Sequence, residues 1–518
     1  MTTLAIAVIA AAAALGVSQW RRTSAYPVAI VAGVLVHWLP LPVEAALVRS
    51  ALLLAATFLV FAVGAEIDRT QIAPFRWQGI AVAALFLAVT AGIAGLLQGI
   101  LGVDGQTTLY LVLALTSSST LLVVEVLRRR ERVFEPIGRF VTGVVIAQDA
   151  TVVLALSVVV SAAEGVAAVL RAGVLAAGLA IAAWGLARWG LPAVFVRESR
   201  TEEERLLLVL AVLFVFGGAC FLAGLPLALG AWLAGASLSR FPVGGMIRSY
   251  VGSFSTFFTM LFFVLLGAVV RLPLPAELLA EGVLVATVLL LRPLLLYPIA
   301  RRAGMTVRSA VEAVALLAHT GEMALVVALV AVDRGDAPAS LLAVVALVVV
   351  VTMSIVPWLS SDRIVWRLMR LLPLRKRGLS PRTTGAGHVL LIGAGEAGSR
   401  IIEYLRDRRI PLVVVEDDPA IVEALDARGI PAIRGDGADR ATLQAAGAHA
   451  AAAIVSTMRR MADSRRLLAL VHGPPVVLRV FSDREAEEIR LLGGIAVVEA
   501  DLACDELVRW YRERQRPG

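Results

Sequence analysis

From the N-terminus to about Leu359 the chain is a succession of long apolar runs almost free of charge. No other feature restricts the fold as strongly. In hydrocarbon every backbone N–H and C=O must find its partner within the protein, so runs of this length are read as membrane-crossing helices. They fall roughly at residues 3–19, 27–38, 43–62, 79–100, 107–127, 138–161, 165–187, 206–222, 226–239, 251–270, 278–300, 309–332 and 338–359. That makes about thirteen crossings by the length rule. Met1–Leu15 has no charged leading segment, which reads as a first transmembrane helix and not a cleaved signal. Only the last third regains the charge content of a soluble domain. The expected organisation is a membrane domain over 1–360, a basic juxtamembrane linker over 361–387 and a soluble domain over 388–518.

Charge supports this division. The net charge of +8 does not point to nucleic acid, because the arginines cluster at the ends of apolar runs. Arg21, Arg22, Arg69, Arg128, Arg129, Arg130, Arg188, Arg240, Arg301, Arg302 and Arg308 all fall on one side of the bilayer. The other side carries mainly Arg271 and Arg334. The positive-inside rule then places the N-terminus outside and the soluble domain in the cytoplasm. Arg367, Arg370, Arg375, Lys376 and Arg377 in the linker suit an anionic lipid surface. Cys220 and Cys504 lie far apart and give no disulfide framework.

Three apolar spans are interrupted by polar residues. Gly143–Thr151 reads G-V-V-I-A-Q-D-A-T, a polar break that places Gln148 and Asp149 near mid-membrane. A carboxylate at that depth is costly and is usually retained for ion or proton traffic. The fifth span carries Thr116, Ser117, Ser118, Ser119 and Thr120; the twelfth carries His319, Thr320, Gly321 and Glu322. Their offset in the count gives them opposite orientations, as an inverted repeat requires. Paired interruptions of this kind point to a transporter site at the midplane. The hydroxyls could instead bond their own helix carbonyls. Arg292 lies inside a span, where a cation should face protein or water and pair with an anion; its long side chain could also reach the interface.

After Ser380–Gly387 the hydrophobic period changes. The strand His388–Ile392 runs into Gly393-Ala394-Gly395-Glu396-Ala397-Gly398 and a helix, then a second strand ending in Glu416-Asp417-Asp418. This G-x-G-x-x-G turn, between strand and helix with an acid about twenty residues on, is a dinucleotide-binding pattern. The glycines allow close approach of a pyrophosphate, the helix N-terminus supplies positive field, and Glu416 would bond a ribose hydroxyl. Strand–helix alternation continues to about residue 512, which predicts an α/β Rossmann-like domain. It shows no nucleophile–base pair and no metal-ligand cluster, and His472 stands alone. The nucleotide is therefore expected to regulate and not to react, and no enzyme is expected.

These residues resemble the second major group of monovalent cation:proton antiporters, particularly the glutathione-gated potassium-efflux type. The likeness runs through Phe61–Asp68 (F-A-V-G-A-E-I-D), Ala114–Leu121, the Gln148-Asp149 pair, Gly224–Gly235, Phe262–Gly267 and the basic residue at Arg292. The soluble part is similar to the nucleotide-binding potassium-transport domain, with Gly435-Asp436 after its third strand. The family often has Gln where His319 stands, and an imidazole titrates near neutrality.

The resemblance implies a multi-pass α-helical protein of the cell inner membrane with inverted repeats, working as a homodimer. An ancillary cytoplasmic regulator is a possible partner, and NAD(H) or an AMP-type nucleotide is the implied regulatory ligand, held by Gly393, Gly395, Glu396, Ala397, Gly398, Glu416, Asp417 and Asp436. The implied ion site comprises Asp149, Gln148, Thr116, Ser117, Ser118, Ser119, Thr120, Arg292 and Glu322. Asp149 would take either a proton or a dehydrated K⁺ in competition, which couples two opposed fluxes one for one. The empty, charged carboxylate should cross least readily unless Arg292 neutralises it. A Na⁺/H⁺ exchanger of the same fold, a nucleotide-gated cation channel and a membrane-anchored NAD enzyme are the competing readings.

Overall fold

The computed structural model describes residues 2–21, 25–38, 45–67, 104–129, 136–162, 164–195, 202–239, 243–269, 278–305, 307–371 and 387–499, with scattered positions between 81 and 98 and at 504. The chain divides into two compact units. The first comprises Met1–Val126, Gly138–Ile299 and Glu312–Ile364; the second comprises Leu127–Ile137, Ala300–Val311 and Val365–Gly518.

The first unit is helical. Among the described residues seven helices are long and apolar enough to cross a membrane, and four more are apolar but shorter. Much of the expected span 79–100 lies outside the described residues, as do most of the linker beyond Leu371 and of the expected last helix 501–512. Asp362–Leu371 forms a ten-residue helix at the start of the linker.

Two expected spans are not single helices. The first interruption separates Gly105–Thr116 from Thr120–Arg129. The second separates Val307–Leu316 from Glu322–Asp333. Asp104 caps the first half-helix by accepting from Thr107 N–H at 3.1 Å, and the Thr107 hydroxyl and that N–H together hold its carboxyl below the usual range. By contrast, Pro136–Ala162 is one unbroken helix, so Gln148 and Asp149 do not mark a break. A continuous helix satisfies its own backbone, and two polar side chains do not disturb that ladder. The helix from Val166 also continues past its expected end at 187, through a π-helical turn at Leu186–Gly190, to Phe195. A second π-helical turn, Thr287–Leu291, immediately precedes Arg292, whose N–H bonds Thr287 O. Pro293 follows and has no N–H to continue the regular ladder.

Two of the sequence stretches noted above pack directly on each other. A Cβ on Gly235 would lie 2.1 Å from Phe61 O, and one on Gly64 would lie 2.3 Å from Trp232 O. Helices 45–65 and 227–238 thus touch backbone to backbone, as small residues permit in membranes.

In the second unit six strands form one parallel sheet: β1 (Val389–Ile392), β2 (Leu412–Glu416), β3 (Ala432–Arg434), β4 (Ala453–Ser456), β5 (Val476–Val480) and β6 (Ile495–Val498). Their order is β3-β2-β1-β4-β5-β6, so the chain reverses direction of travel between β1 and β4. Leu390, Ile392, Val413 and Ile454 build the core on one side; Leu391, Ile402 and Val414 build it on the other. This is the doubly wound arrangement, whose ligands bind at the carboxyl ends of the strands by that reversal.

Replacing Gly235 by Val should drive a side chain into the Phe61 backbone and cost at least about 1–3 kcal/mol. The check is the midpoint of thermal unfolding in detergent, with Gly217→Val, at a position where a Cβ meets nothing within 4 Å, as the control.

Candidate functional site

The four half-helices meet at their interruptions. Gly321 N–H bonds Ser117 O at 3.3 Å, and a Cβ on Gly321 would sit 2.4 Å from the Ser118 carbonyl carbon. Only glycine allows this approach. Ser119 N–H donates to His319 Nε2 at 2.9 Å, and His319 Nδ1 donates to Leu316 O at 2.8 Å. Because Nε2 accepts, the ring is the neutral Nδ1–H tautomer. Thr320 N–H is met by Thr352 Oγ1 at 3.1 Å from the helix Ala339–Leu359.

Arg292 lies at the C-terminal side of this crossing and is 3% exposed. Its guanidinium donates to Leu115 O and Ser117 O of one interruption and to Leu317 O and His319 O of the other. It also donates to Ser118 Oγ at 3.0 Å. Two half-helices leave carbonyls without helical partners at their C-terminal ends. One cation serves both sets, where helix dipoles also favour positive charge. The sequence leads to an anion as its partner; its described bonds go to carbonyls and a hydroxyl.

The N-terminal sides of the same crossing face acids. Thr120, the first residue of its half-helix, donates to Asp149 Oδ2 at 3.0 Å. Glu322 is the first residue of the other and is 1% exposed. Its carboxyl faces the Ser119 side chain and the Leu121 N–H. Asp149 and Glu322 therefore flank adjacent residues of one short segment, and Asp149 feels the charge of Glu322 and of Glu66.

The hydroxyls divide their duties. Thr116 and Ser117 bond Val112 O and Ala114 O of their own helix, as the alternative reading allowed. Ser118 meets Arg292, and Ser119 Oγ accepts from Leu122 N–H at 3.1 Å. Of the five, only Thr120 reaches Asp149 among the described contacts. Three residues of the interruption and of the helix Pro136–Ala162 carry buried polar atoms with no hydrogen-bond partner among the described residues: Asp149 Oδ1, Gln148 Oε1 and Nε2, and Thr320 Oγ1. Buried polar atoms are normally paired, so this concentration has the chemistry of an oxygen-rich cradle for a dehydrated monovalent cation. Glu66 and Thr352 escaped the sequence reading. Glu66 had a signal, the acid inside F-A-V-G-A-E-I-D; Thr352, inside a plain apolar helix, had none.

In the second unit the three glycines have separate functions. Gly393 has φ +91°, and a Cβ on Gly398 would lie 2.1 Å from Gly393 O. Gly395 precedes the helix Glu396–Asp407, which has no side-chain cap, and a Cβ there would meet nothing within 4 Å. Free helix N–H groups beside open space fit a phosphate. Ala397 lies in the first turn, and Glu396 is exposed and pairs with Arg400. Glu416 is spent differently from the expectation. Its Oε2 accepts from Ala394 N–H at 2.6 Å, and its Oε1 accepts from Asp417 and Asp418 N–H at 2.8 and 3.0 Å. It holds the glycine turn in shape, and a ribose hydroxyl would have to share Oε2. Asp436 is likewise engaged: within this unit Oδ1 accepts from Ala438 N–H, and Oδ2 pairs with buried Arg308 at 3.1 Å, which also pairs with Asp463 at 2.7 Å. His472 is not alone either, since it lines a cavity of about 400 Å³ together with His449.

Comparison with known proteins agrees with this geometry. Residues 4–361 match the family described as sodium/hydrogen exchanger, transmembrane, and residues 389–500 match the TrkA-N domain. The K(+) efflux antiporter 2, chloroplastic, of Arabidopsis thaliana is 28% identical over 429 residues, covering 76% of this chain and 35% of that protein. Its paralogue K(+) efflux antiporter 1 is 27% identical over 447 residues, covering 80% and 36%. The chain thus spans about a third of the length of these relatives, which are antiporters and not enzymes. The sodium proton antiporter MjNhaP1 of Methanocaldococcus jannaschii shares the fold, with a TM-score of 0.56 at 12% identity, over 72% of this chain and 98% of that one.

Removing the imidazole that joins the two interruptions should leave a buried N–H unpaired. His319→Ala is expected to lose about 1–3 kcal/mol of stability. His319→Gln, which keeps an acceptor and a donor, should lose less, as read from the two thermal midpoints.

Proposed function

We propose, from the premise that this chain belongs to the sodium/hydrogen exchanger family, that it exchanges a monovalent cation, K⁺ before Na⁺, for protons across a membrane. The supporting observation is the unpartnered oxygen cluster around Asp149, seated where two interrupted helices cross. Asp149 holds a cation or a proton, never both, so the two compete for one carboxylate. Gln148 cannot ionise and serves as a ligand beside it. The likeness to potassium-efflux antiporters supports K⁺ as the cation. Access alternates as one bundle rocks against the other around the site.

The remaining assignments follow the same reading. The membrane domain covers 1–360, the linker 361–387 and the cytoplasmic domain 388–518. The protein sits in the cell inner membrane with its N-terminus outside and acts as a homodimer, with an ancillary cytoplasmic regulator as a possible partner. NAD(H) or an AMP-type nucleotide binds the glycine turn and regulates exchange. Gly393, Gly395 and Gly398 shape that turn, the first N–H groups of Glu396–Asp407 take the phosphates, and Glu416 positions the turn while offering Oε2 to a ribose.

In proteoliposomes carrying a pH-sensitive dye, Asp149→Asn should reduce cation-dependent proton movement to the level of empty vesicles. Retained exchange would remove Asp149 from the central role. Wild-type rates with potassium, rubidium and sodium compared side by side assign the cation, and sodium alone supporting exchange would overturn the K⁺ assignment. For the nucleotide, Glu416→Ala should weaken NADH or AMP binding about tenfold or more, the loss of a charge-assisted hydrogen bond. Equal affinity in wild type and variant by calorimetric titration would leave Glu416 without that function.

A further inference from the structure

We propose that Glu322 is the fixed counter-charge that makes exchange obligatory, by holding the unloaded site at a net negative charge. The proposal rests on Asp149 being the exchanging carboxylate and adds a second acid with a different task. Three ionisable groups lie in the crossing with their functions separated by geometry. Arg292 binds carbonyls of both interruptions and is a permanent cation, since a guanidinium stays protonated in proteins. Asp149 is held by Thr120. Glu322 begins the other half-helix and turns its carboxyl to the Ser119 side chain and the Leu121 N–H of the same segment. The other titratable groups around it are His319, Tyr26 and Glu66. The His319 ring is committed as a neutral acceptor and donor. Tyr26 is a phenol and carries no charge near neutral pH, and Glu66 is partly exposed, where solvent screens its charge.

Counting charge gives the consequence. With Arg292 and Asp149 alone, the unloaded site is neutral and the loaded site carries one positive charge. A neutral empty carrier crosses easily, so K⁺ could leave without a proton returning. Adding ionised Glu322 reverses this. The empty site becomes −1, and the site loaded with either K⁺ or H⁺ becomes neutral. Moving an uncompensated charge through a low-dielectric interior is expensive, so only loaded forms cross. The N-terminal position of Glu322 on its half-helix supports the ionised form, because helix N–H groups and the dipole favour an anion there. Asp149 is the variable site and Glu322 the constant one.

The test is potassium flux without proton counterflow. Vesicles containing wild-type protein hold equal K⁺ inside and outside, the pH is clamped equal on both sides so that exchange has no driving force, and an inside-positive potential is imposed. Wild type should show no K⁺ efflux above protein-free vesicles. Glu322→Gln should raise this efflux by roughly tenfold or more, equivalent to about 1.4 kcal/mol on the empty-carrier barrier. Glu322→Asp, which keeps the charge, should restore tight coupling. Tightly coupled exchange in Glu322→Gln overturns the proposal, as does a folded Glu322→Gln protein with no flux of any kind, because Asp149 alone should still load. A leak in Glu322→Asp equal to that of Glu322→Gln also overturns it, by making the effect one of shape. If Glu322→Gln does not fold, the wild-type measurement still decides: an uncoupled, voltage-driven K⁺ current in wild type is incompatible with an empty site that cannot cross. Exchange surviving in Asp149→Asn would instead sink the underlying reading and leave the leak comparison unaffected.

Discussion

The crossing exists because one guanidinium lies where two broken helices end. Interrupting a helix at mid-membrane exposes carbonyls that no lipid can satisfy, at several kcal/mol each. Without a shared donor, neither interruption would be stable at that depth. Arg292 donates to carbonyls on both sides of the pseudo-repeat, and the π-helical turn with Pro293 behind it carries the strand of backbone that aims it. The polar residues of the two breaks then fall into place around it. Ser118 meets the guanidinium, His319 joins one break to the other, and Gly321 lets the backbones touch. The C-terminal ends are thereby satisfied by protein, which leaves the N-terminal ends and their acids facing a space whose oxygens are unpaired.

This polarity separates the charges of the crossing. The positive ends of two half-helices lie beside Asp149 and Glu322, and the negative ends lie beside Arg292. Each charge is stabilised by a dipole of opposite sign, so no direct Arg–carboxylate pair is required. A direct pair would have to be broken each time a cation bound Asp149. Under the proposed function, keeping Arg292 on carbonyls leaves Asp149 able to exchange its passenger without dismantling the scaffold.

Much of this was readable from the residues, and the exceptions have physical causes. The interruptions at Thr116–Thr120 and His319–Glu322 stand out because small polar residues are rare in lipid-facing helices. The change of period at His388 and the glycine turn likewise announce the second unit. The sequence misleads at Gln148–Asp149, where polarity looks like a break although the helix is continuous. It also misleads at Arg292, where charge suggests a carboxylate partner. Its acceptors lie 175 and 27 residues away and are backbone carbonyls, which leave no mark in composition. Five hydroxyls in a row cannot be sorted from sequence either, because each rotamer is decided by its neighbour in space. Glu416 and Asp436 show the same limit in the second unit: spacing locates each acid, while the bonds to Ala394 N–H and Arg308 are tertiary.

His319 stands where the resemblance noted from the sequence implies Gln. Titration of the imidazole suggested a change in proton dependence. The geometry gives the substitution a different meaning. His319 accepts Ser119 N–H through one nitrogen and donates to Leu316 O through the other. A glutamine amide also offers one acceptor and one donor on a planar group of comparable reach. Both residues can therefore rivet the two interruptions together, and neither needs to carry a proton to do so. What the position requires is a neutral acceptor–donor pair, because a protonated ring would present a second N–H to the Ser119 donor and open the joint. A titratable side chain can occupy the centre of such a crossing and stay neutral, provided both of its nitrogens are already committed to the backbone.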